Sequence, residues 1–142
     1  MRRPDRWSIP DEERPLLCTA AMLLVLSRMS LPVVGREATE RLLGTVARWL
    51  PPFGKRPEPD RIAWATEGVA RRLPLSTTCL MQALAGQSLF DAHGHQSVVR
   101  FGVSKDADEL RAHAWVEHGE AVVIGELDDL CRYRPLTASD LE

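Results

Sequence analysis

Two segments of the chain decide how it folds, Thr77-Thr78-Cys79-Leu80 and Ala112-His113-Ala114-Trp115-Val116-Glu117. The first opens a helical pattern that runs without interruption from Cys79 to Phe90, and its two threonines are good N-cap residues. Cys79 is therefore expected in the first helical turn, where unpaired backbone N–H groups and the helix dipole favour an anion. A single cysteine is more often a buried structural residue, but this position favours a nucleophile.

The second segment begins a predicted β-hairpin that extends from Ala112 to Ile124. A two-residue turn at His118-Gly119 would place His113 opposite Ile124. Glu126 would then be a diagonal neighbour of His113 on the same face of the strand pair. We therefore expect Glu126 to accept a hydrogen bond from the imidazole and to fix its tautomer. Asp128 has the same strand parity and is the alternative acid.

These residues follow one another in the order nucleophile, base and acid. Taken alone, a strand histidine is usually an ordinary residue and a glutamate at a strand end is usually solvated. A thiol at a helix start followed by an imidazole on a strand matches the arrangement of thiol proteases, and this combination favours catalysis. The predicted catalytic residues are Cys79, His113 and Glu126.

Three further side chains are candidates for binding substrate. Trp64 lies off the centre of its predicted apolar stripe, where it would either pack between helices or line a substrate groove. Gln82 lies one turn beyond Cys79, where it would either face the site or make a polar contact within the fold. Trp115 shares the strand face of His113.

The other histidines carry no strong signal for chemistry. His93 and His95 flank a glycine, and His118 falls in the predicted turn, so surface positions are expected. A metal site from His93, His95 and Cys131 is an alternative, but these residues lack the spacing of metal ligands, and no metal or cofactor is predicted.

Apolar residues recur at helical spacing as far as Gly94 and alternate beyond it, which predicts an α+β fold with helices before a small antiparallel sheet. A core helix that includes Leu16 to Leu26 should end near Ser30, ahead of Pro32. Further helices are predicted from Arg36 to Leu50, from Asp60 to Leu73 and from Cys79, with a proline-rich loop from Pro51 to Pro59. The length fits a single domain, 1–142, comprising an N-terminal helical part (1–58) and a catalytic core (59–142).

Composition excludes several classes of partner. The chain has 142 residues and a formal net charge of -2, so it lacks the basic surface that nucleic-acid binding requires. Three cysteines without a Cys-x-x-Cys pair predict neither a disulfide framework nor a zinc site, and Cys18 is expected to be a structural residue. The apolar run is too short to span a bilayer and no signal peptide is apparent, so a cytoplasmic location without membrane contact is expected.

Thr78-Cys79-Leu80, the following Gln82-Ala83-Leu84-Ala85, the strand residues Phe101-Gly102-Val103, and the Ala112–Glu117 segment together resemble the lasso peptide maturation B protein family. These proteins are transglutaminase-like cysteine peptidases, related to papain, that remove the leader from a ribosomally made precursor. The resemblance covers about residues 60 to 130 and implies a Cys-His-Asp triad, with Cys79 and His113 as its first two members. This sequence departs from the pattern by offering Glu126 where an aspartate is usual.

The resemblance also implies partners. No segment looks like the leader-recognition domain that is fused in some members, so a separate small PqqD-like protein is expected to deliver the precursor peptide. An asparagine-synthetase-like cyclase would act next. The alternatives are an acyltransferase that uses the same triad, and a non-catalytic scaffold that binds the precursor and the cyclase.

Overall fold

The computed structural model describes residues 14–49, 57–106, 108–127 and 129–136. Its helices are α1 (Arg14–Trp49), α2 (Pro59–Arg72) and α3 (Cys79–Ala92). Its strands are β1 (Val98–Asp106), β2 (Glu109–His118), β3 (Ala121–Ile124) and β4 (Arg134–Pro135). Three helices followed by one antiparallel sheet confirm the predicted α+β class.

Helix α1 differs from the sequence prediction in where it breaks. It continues past Ser30 and through Pro32, and the interruption lies at Gly35, which has φ 84° and ψ 178°. Pro32 removes one N–H donor and crowds the preceding turn, but the helix continues through this position. A positive φ, by contrast, is a conformation that glycine adopts without steric cost. The predicted end near Ser30 was therefore wrong by about one turn.

Proline determines where α2 begins. Pro59 is the first residue of the helix, where its fixed φ is favourable and its missing N–H is not needed. Asp60 thus lies inside the first turn, and Glu58 rather than Asp60 occupies the cap. Of the proline-rich loop predicted before this helix, residues 51–56 lie outside the described part of the chain.

Helix α3 is the centre of the fold, as the apolar residues on all its sides indicate. Helices α1 and α2 pack against it, and strand β2 packs against it from the sheet. Gly86 allows this close packing, because a side chain at that position would meet Ile124 of β3. Helix α3, which begins with Cys79, is therefore held in place between the other helices and the sheet.

Helix α1 is also long and apolar enough to cross a membrane, judged by length and composition alone. Its most apolar 18-residue window has a mean hydropathy of 1.8, and one third of that window is buried inside the fold. A core helix passes the same test, and α1 contributes fully buried leucines at positions 23, 24 and 43.

The sheet has the strand order β3-β2-β1-β4. In β2, Ala114 and Val116 belong to the core beneath the helices. Because strand residues alternate in direction, His113 and Trp115 lie on the opposite face. His113 is paired with Gly102 of β1.

The predicted hairpin is present, but its register differs from the prediction. The two-residue turn is Gly119-Glu120, since His118 pairs with Ala121, and Gly119 has φ 64°. The register then shifts by one residue, so that Val116 rather than His113 is paired with Ile124. The extra residue, Val123, is accommodated as in a β-bulge. The predicted His118-Gly119 turn was therefore wrong.

Candidate active site

Cys79 is the first residue of α3, half-buried against the core, with its thiol free. Thr78 is the N-cap, and its hydroxyl accepts a hydrogen bond from the Met81 backbone N–H at 3.3 Å. The Thr78 carbonyl accepts from the Gln82 N–H. The N–H groups of Cys79 and Leu80 precede the first intrahelical bond and are available to an anion at the thiol.

The start of α3 is tied to α1 by two long-range hydrogen bonds. The buried Ser27 hydroxyl donates to the Met81 carbonyl at 3.2 Å. The Arg28 Nε donates to the Ser76 carbonyl at 3.0 Å, in the loop that leads to Cys79. Helix α1 therefore fixes the position of the helix start that carries the thiol.

The Gln82 side chain makes a hydrogen bond within the fold. Its amide nitrogen donates to the Thr77 hydroxyl at 3.2 Å, which closes a polar contact around the cap of α3. Of the two interpretations of Gln82, this contact favours the internal one. Trp64 is half-buried on α2 and lies beneath the Arg61 guanidinium, 4.3 Å from the ring centre.

His113 has a defined tautomer. Its Nε2 lies 2.6 Å from the Gly125 carbonyl oxygen. A carbonyl can only accept, so Nε2 must carry the proton and donate it. In the neutral ring Nδ1 is then the basic nitrogen, and within the described residues it has no hydrogen-bond partner.

Two aromatic side chains enclose the His113 ring. Trp115 stacks against it with ring centres 6.1 Å apart, and Tyr133 lies at 5.7 Å with the rings tilted by 55°. The Trp115 indole donates to Glu117 at 3.0 Å and covers Gly102, where a side chain would collide with the indole. Trp115 is only 3% exposed, so it supports the histidine here, and its predicted contact with substrate stays a prediction.

Glu67 of α2 is a site residue that the sequence did not indicate. Its Oε1 accepts a hydrogen bond from the Gly125 backbone N–H at 3.1 Å. Gly125 is thus held by Glu67 on its nitrogen and contacts His113 through its carbonyl. No local pattern could have marked Glu67, because the contact joins residues 58 positions apart.

The structure removes the geometric argument for Glu126 as the diagonal neighbour of His113. β3 ends at Ile124, and Gly125 has φ 84°, so the strand parity does not extend to Glu126. Glu126 is exposed, and His113 bonds the preceding carbonyl instead. The role of Glu126 as the orienting acid stays a prediction, and Asp128 lies outside the described residues.

Cys79 and His113 are not joined in this structure. Among the described residues no hydrogen bond links the thiol to the imidazole, and His113 lies on the sheet face turned away from the core on which Cys79 packs. The structure brings His113 together with Gly125, Trp115 and Tyr133. The candidate base and the residues that hold it are therefore not in contact with the candidate nucleophile.

Two of the three histidines predicted at the surface, His95 and His118, form a cluster at the far end of α3. The His118 ring stacks on buried Phe90 at 5.9 Å, and His95 lies 5.7 Å from His118. His95 and His118 bond the carbonyls of Pro57 and Gln96 respectively, so both are half-buried rather than free on the surface. Nearby, burial raises the pKa of the Asp91 carboxyl above its usual value.

No group of residues in the described ranges could hold a metal ion. His93, His95 and Cys131 are therefore not gathered into a metal site. Cys131 is exposed, and Cys18, expected to be a buried structural cysteine, is exposed on α1.

Comparison with known proteins identifies the family. Searches of the curated proteins and of the solved structures found no match. The sequence profile of the transglutaminase-like superfamily, by contrast, matches residues 21–138. The match begins within α1 and includes Cys79, His113 and Glu67. The chain therefore belongs to the transglutaminase-like superfamily.

Proposed function

We propose that this protein is a cysteine peptidase that removes the leader from a ribosomally made lasso peptide precursor. Membership of the transglutaminase-like superfamily supports cysteine peptidase or acyltransferase chemistry. The observation that carries the proposal is the hydrogen bond from His113 Nε2 to the Gly125 carbonyl. This bond leaves Nδ1 as the ring nitrogen that can accept a proton. The resemblance of the two sequence motifs to lasso peptide B proteins supports the substrate class.

In the proposed reaction the Cys79 sulfur attacks the carbonyl carbon at the junction of leader and core peptide. His113 Nδ1 takes the thiol proton and returns it to the leaving amine, which leaves a thioester. Water then attacks the thioester, giving its proton to His113, and the thiol is regenerated. The N–H groups of Cys79 and Leu80 stabilise the oxyanion of each tetrahedral intermediate.

This reaction requires His113 Nδ1 to come within hydrogen-bond distance of the Cys79 thiol. Catalytic hydrogen bonds tighten when substrate binds. We propose that precursor binding drives the approach, with delivery by a separate leader-recognition protein in the cytoplasm and transfer of the core peptide to a cyclase.

The direct test is cleavage of a cognate precursor by the purified chain together with its recognition protein. We expect Cys79→Ala and His113→Ala to abolish cleavage. Cys131→Ala is the matched control, because Cys131 is also a free thiol but is exposed and lies outside helix α3. A Cys79→Ala protein that cleaves as fast as the unchanged protein would refute the proposal.

Thiol labelling tests the nucleophile without a substrate. Cys18 and Cys131 are exposed and Cys79 is half-buried, so access alone favours labelling of the first two by iodoacetamide. If Cys79 is activated, it should be labelled first at mildly acid pH despite its lower exposure. Labelling in the order of exposure would favour the alternative of a non-catalytic scaffold.

Acyl transfer is the second candidate, and superfamily membership favours it as strongly as hydrolysis. It differs only in the nucleophile that resolves the thioester. Mass spectrometry of the products separates the two. Both reactions release the core peptide as the leaving amine, so the leader separates them. A leader with a free C-terminal carboxylate indicates hydrolysis, and a leader whose C-terminus carries an added amine indicates transfer.

A further inference from the structure

We propose that Glu67 is a positioning residue for the His113 imidazole, acting through Gly125. This role rests on the proposed function, since His113 is the base of that reaction. Gly125 makes one hydrogen bond to each of these residues: Glu67 Oε1 lies 3.1 Å from the Gly125 nitrogen, and His113 Nε2 lies 2.6 Å from the Gly125 oxygen.

Gly125 needs such a contact because it lies just beyond the sheet. The preceding residue, Ile124, is 1% exposed and seated over Gly86, so the chain enters Gly125 from a fixed point. β3 ends there, and Gly125 has φ 84°, so its backbone is outside the ladder that would otherwise hold it. The Glu67 carboxylate supplies the acceptor that a neighbouring strand would supply.

The consequence for His113 concerns which nitrogen is the base. A carbonyl held at Nε2 stabilises the tautomer with its proton on Nε2 and leaves Nδ1 to accept one. If Gly125 rotates, this preference is lost, and part of the protein carries the proton on the wrong nitrogen. Glu67 therefore acts on the fraction of molecules that hold a competent base, without touching the substrate.

Two substitutions separate the hydrogen bond from the rest of the side chain. Glu67→Gln keeps an oxygen that can accept from Gly125 and removes the charge. Glu67→Met keeps the length of the chain and its helix propensity but removes the strong acceptor. Glu37→Met is the control, since Glu37 is an exposed glutamate on α1 that takes no part in the contacts joining Glu67, Gly125 and His113.

The tautomer of His113 is read by nitrogen NMR of labelled protein at a pH where the ring is neutral. We expect the Nε2–H form in the unchanged protein, in Glu67→Gln and in Glu37→Met, and a mixture of both forms in Glu67→Met. The Gly125 amide should be protected from exchange in the first three and exposed in the last. An unaltered tautomer in folded Glu67→Met would overturn the proposal.

Activity provides the second measurement. In Glu67→Met we expect kcat for precursor cleavage to fall by about 100-fold, the size of effect that misplacement of a catalytic group causes, with little change in KM. Glu67→Gln should retain most of the activity. Equal losses in the two variants would overturn the positioning role. If the unchanged protein cleaves no precursor, the proposed function fails, while the NMR result still decides the role of Glu67.

Discussion

Gly125 is the residue on which the geometry of the candidate site depends most directly. Its φ of 84° is costly for any residue with a side chain. A Cβ atom there would also lie 3.0 Å from the Ala114 carbonyl and 3.2 Å from the Trp115 Cα. Both the conformation and the space therefore require glycine, and both are needed to aim the carbonyl at His113.

We predict that Gly125→Ala lowers both stability and activity. The strained backbone alone should cost about 1–2 kcal/mol of unfolding free energy, and displacement of the carbonyl should remove the bond to His113. Thermal unfolding and precursor cleavage measure the two effects.

Gly119→Ala is the matched control for this prediction. Gly119 also has a positive φ, of 64°, but no atom lies within 4 Å of an added Cβ. It should lose a similar amount of stability and keep its cleavage rate. Equal cleavage by the two variants would contradict the assigned role of Gly125.

The sequence predicted the position of a site residue where that position depends on neighbouring residues. It did not predict contacts that depend on strand register or on the packing of distant segments. The position of Cys79 at the start of a helix follows from two threonines and a helical pattern, and the structure has it there. The partner of His113 depends on a turn shifted by one residue, an extra residue in β3 and a positive φ, none of which the alternation shows. Glu67 is brought to the site only by the packing of α2 against β3.

Helices α1 and α3 are connected by a hydrogen bond that the sequence could not predict. Ser27 is fully buried in α1, and its hydroxyl reaches the Met81 carbonyl in the first turn of α3. Both helices were predicted, but a hydrogen bond across 54 positions depends on how they pack. This bond holds the helix start that carries the thiol.

We predict that Ser27→Ala destabilises the protein by about 1 kcal/mol, the usual net contribution of one hydrogen bond. Urea unfolding followed by circular dichroism gives the value. The variant should also label faster at Cys79, because the first turn of α3 becomes less restrained.

Ser88→Ala is the matched control for the joint between the helices. Ser88 is also buried, but its hydroxyl bonds the Leu84 carbonyl one turn back in the same helix. Such local bonds add little to helix stability. A loss in Ser88→Ala as large as in Ser27→Ala would show that the effect is general to buried serines.

For the whole molecule, the spacing of apolar residues changes after Gly94 from helical to alternating. This change was enough to predict the α+β class, because a helix and a strand bury residues at different spacings along the chain. The pattern did not predict how far each helix extends, since Pro32 interrupts α1 less than Gly35 does. The division into an N-terminal helical part and a catalytic core stays a prediction. The helical part before residue 58 and the core after it share one apolar cluster, in which α1 supplies several of the most buried residues.

The shared apolar cluster makes the stability of the core depend on α1. Leu23, Leu24 and Leu43 of α1 are all 0% exposed, and full burial of a leucine stabilises by about 1.5–3 kcal/mol. Loss of these three alone is comparable with a total stability of about 5–15 kcal/mol. A chain of residues 57–142 should therefore lack cooperative thermal unfolding and bind the dye ANS, whereas one that starts at Arg14 should unfold cooperatively. Cooperative unfolding of the shorter chain would show that α1 is an accessory to the fold rather than part of its core.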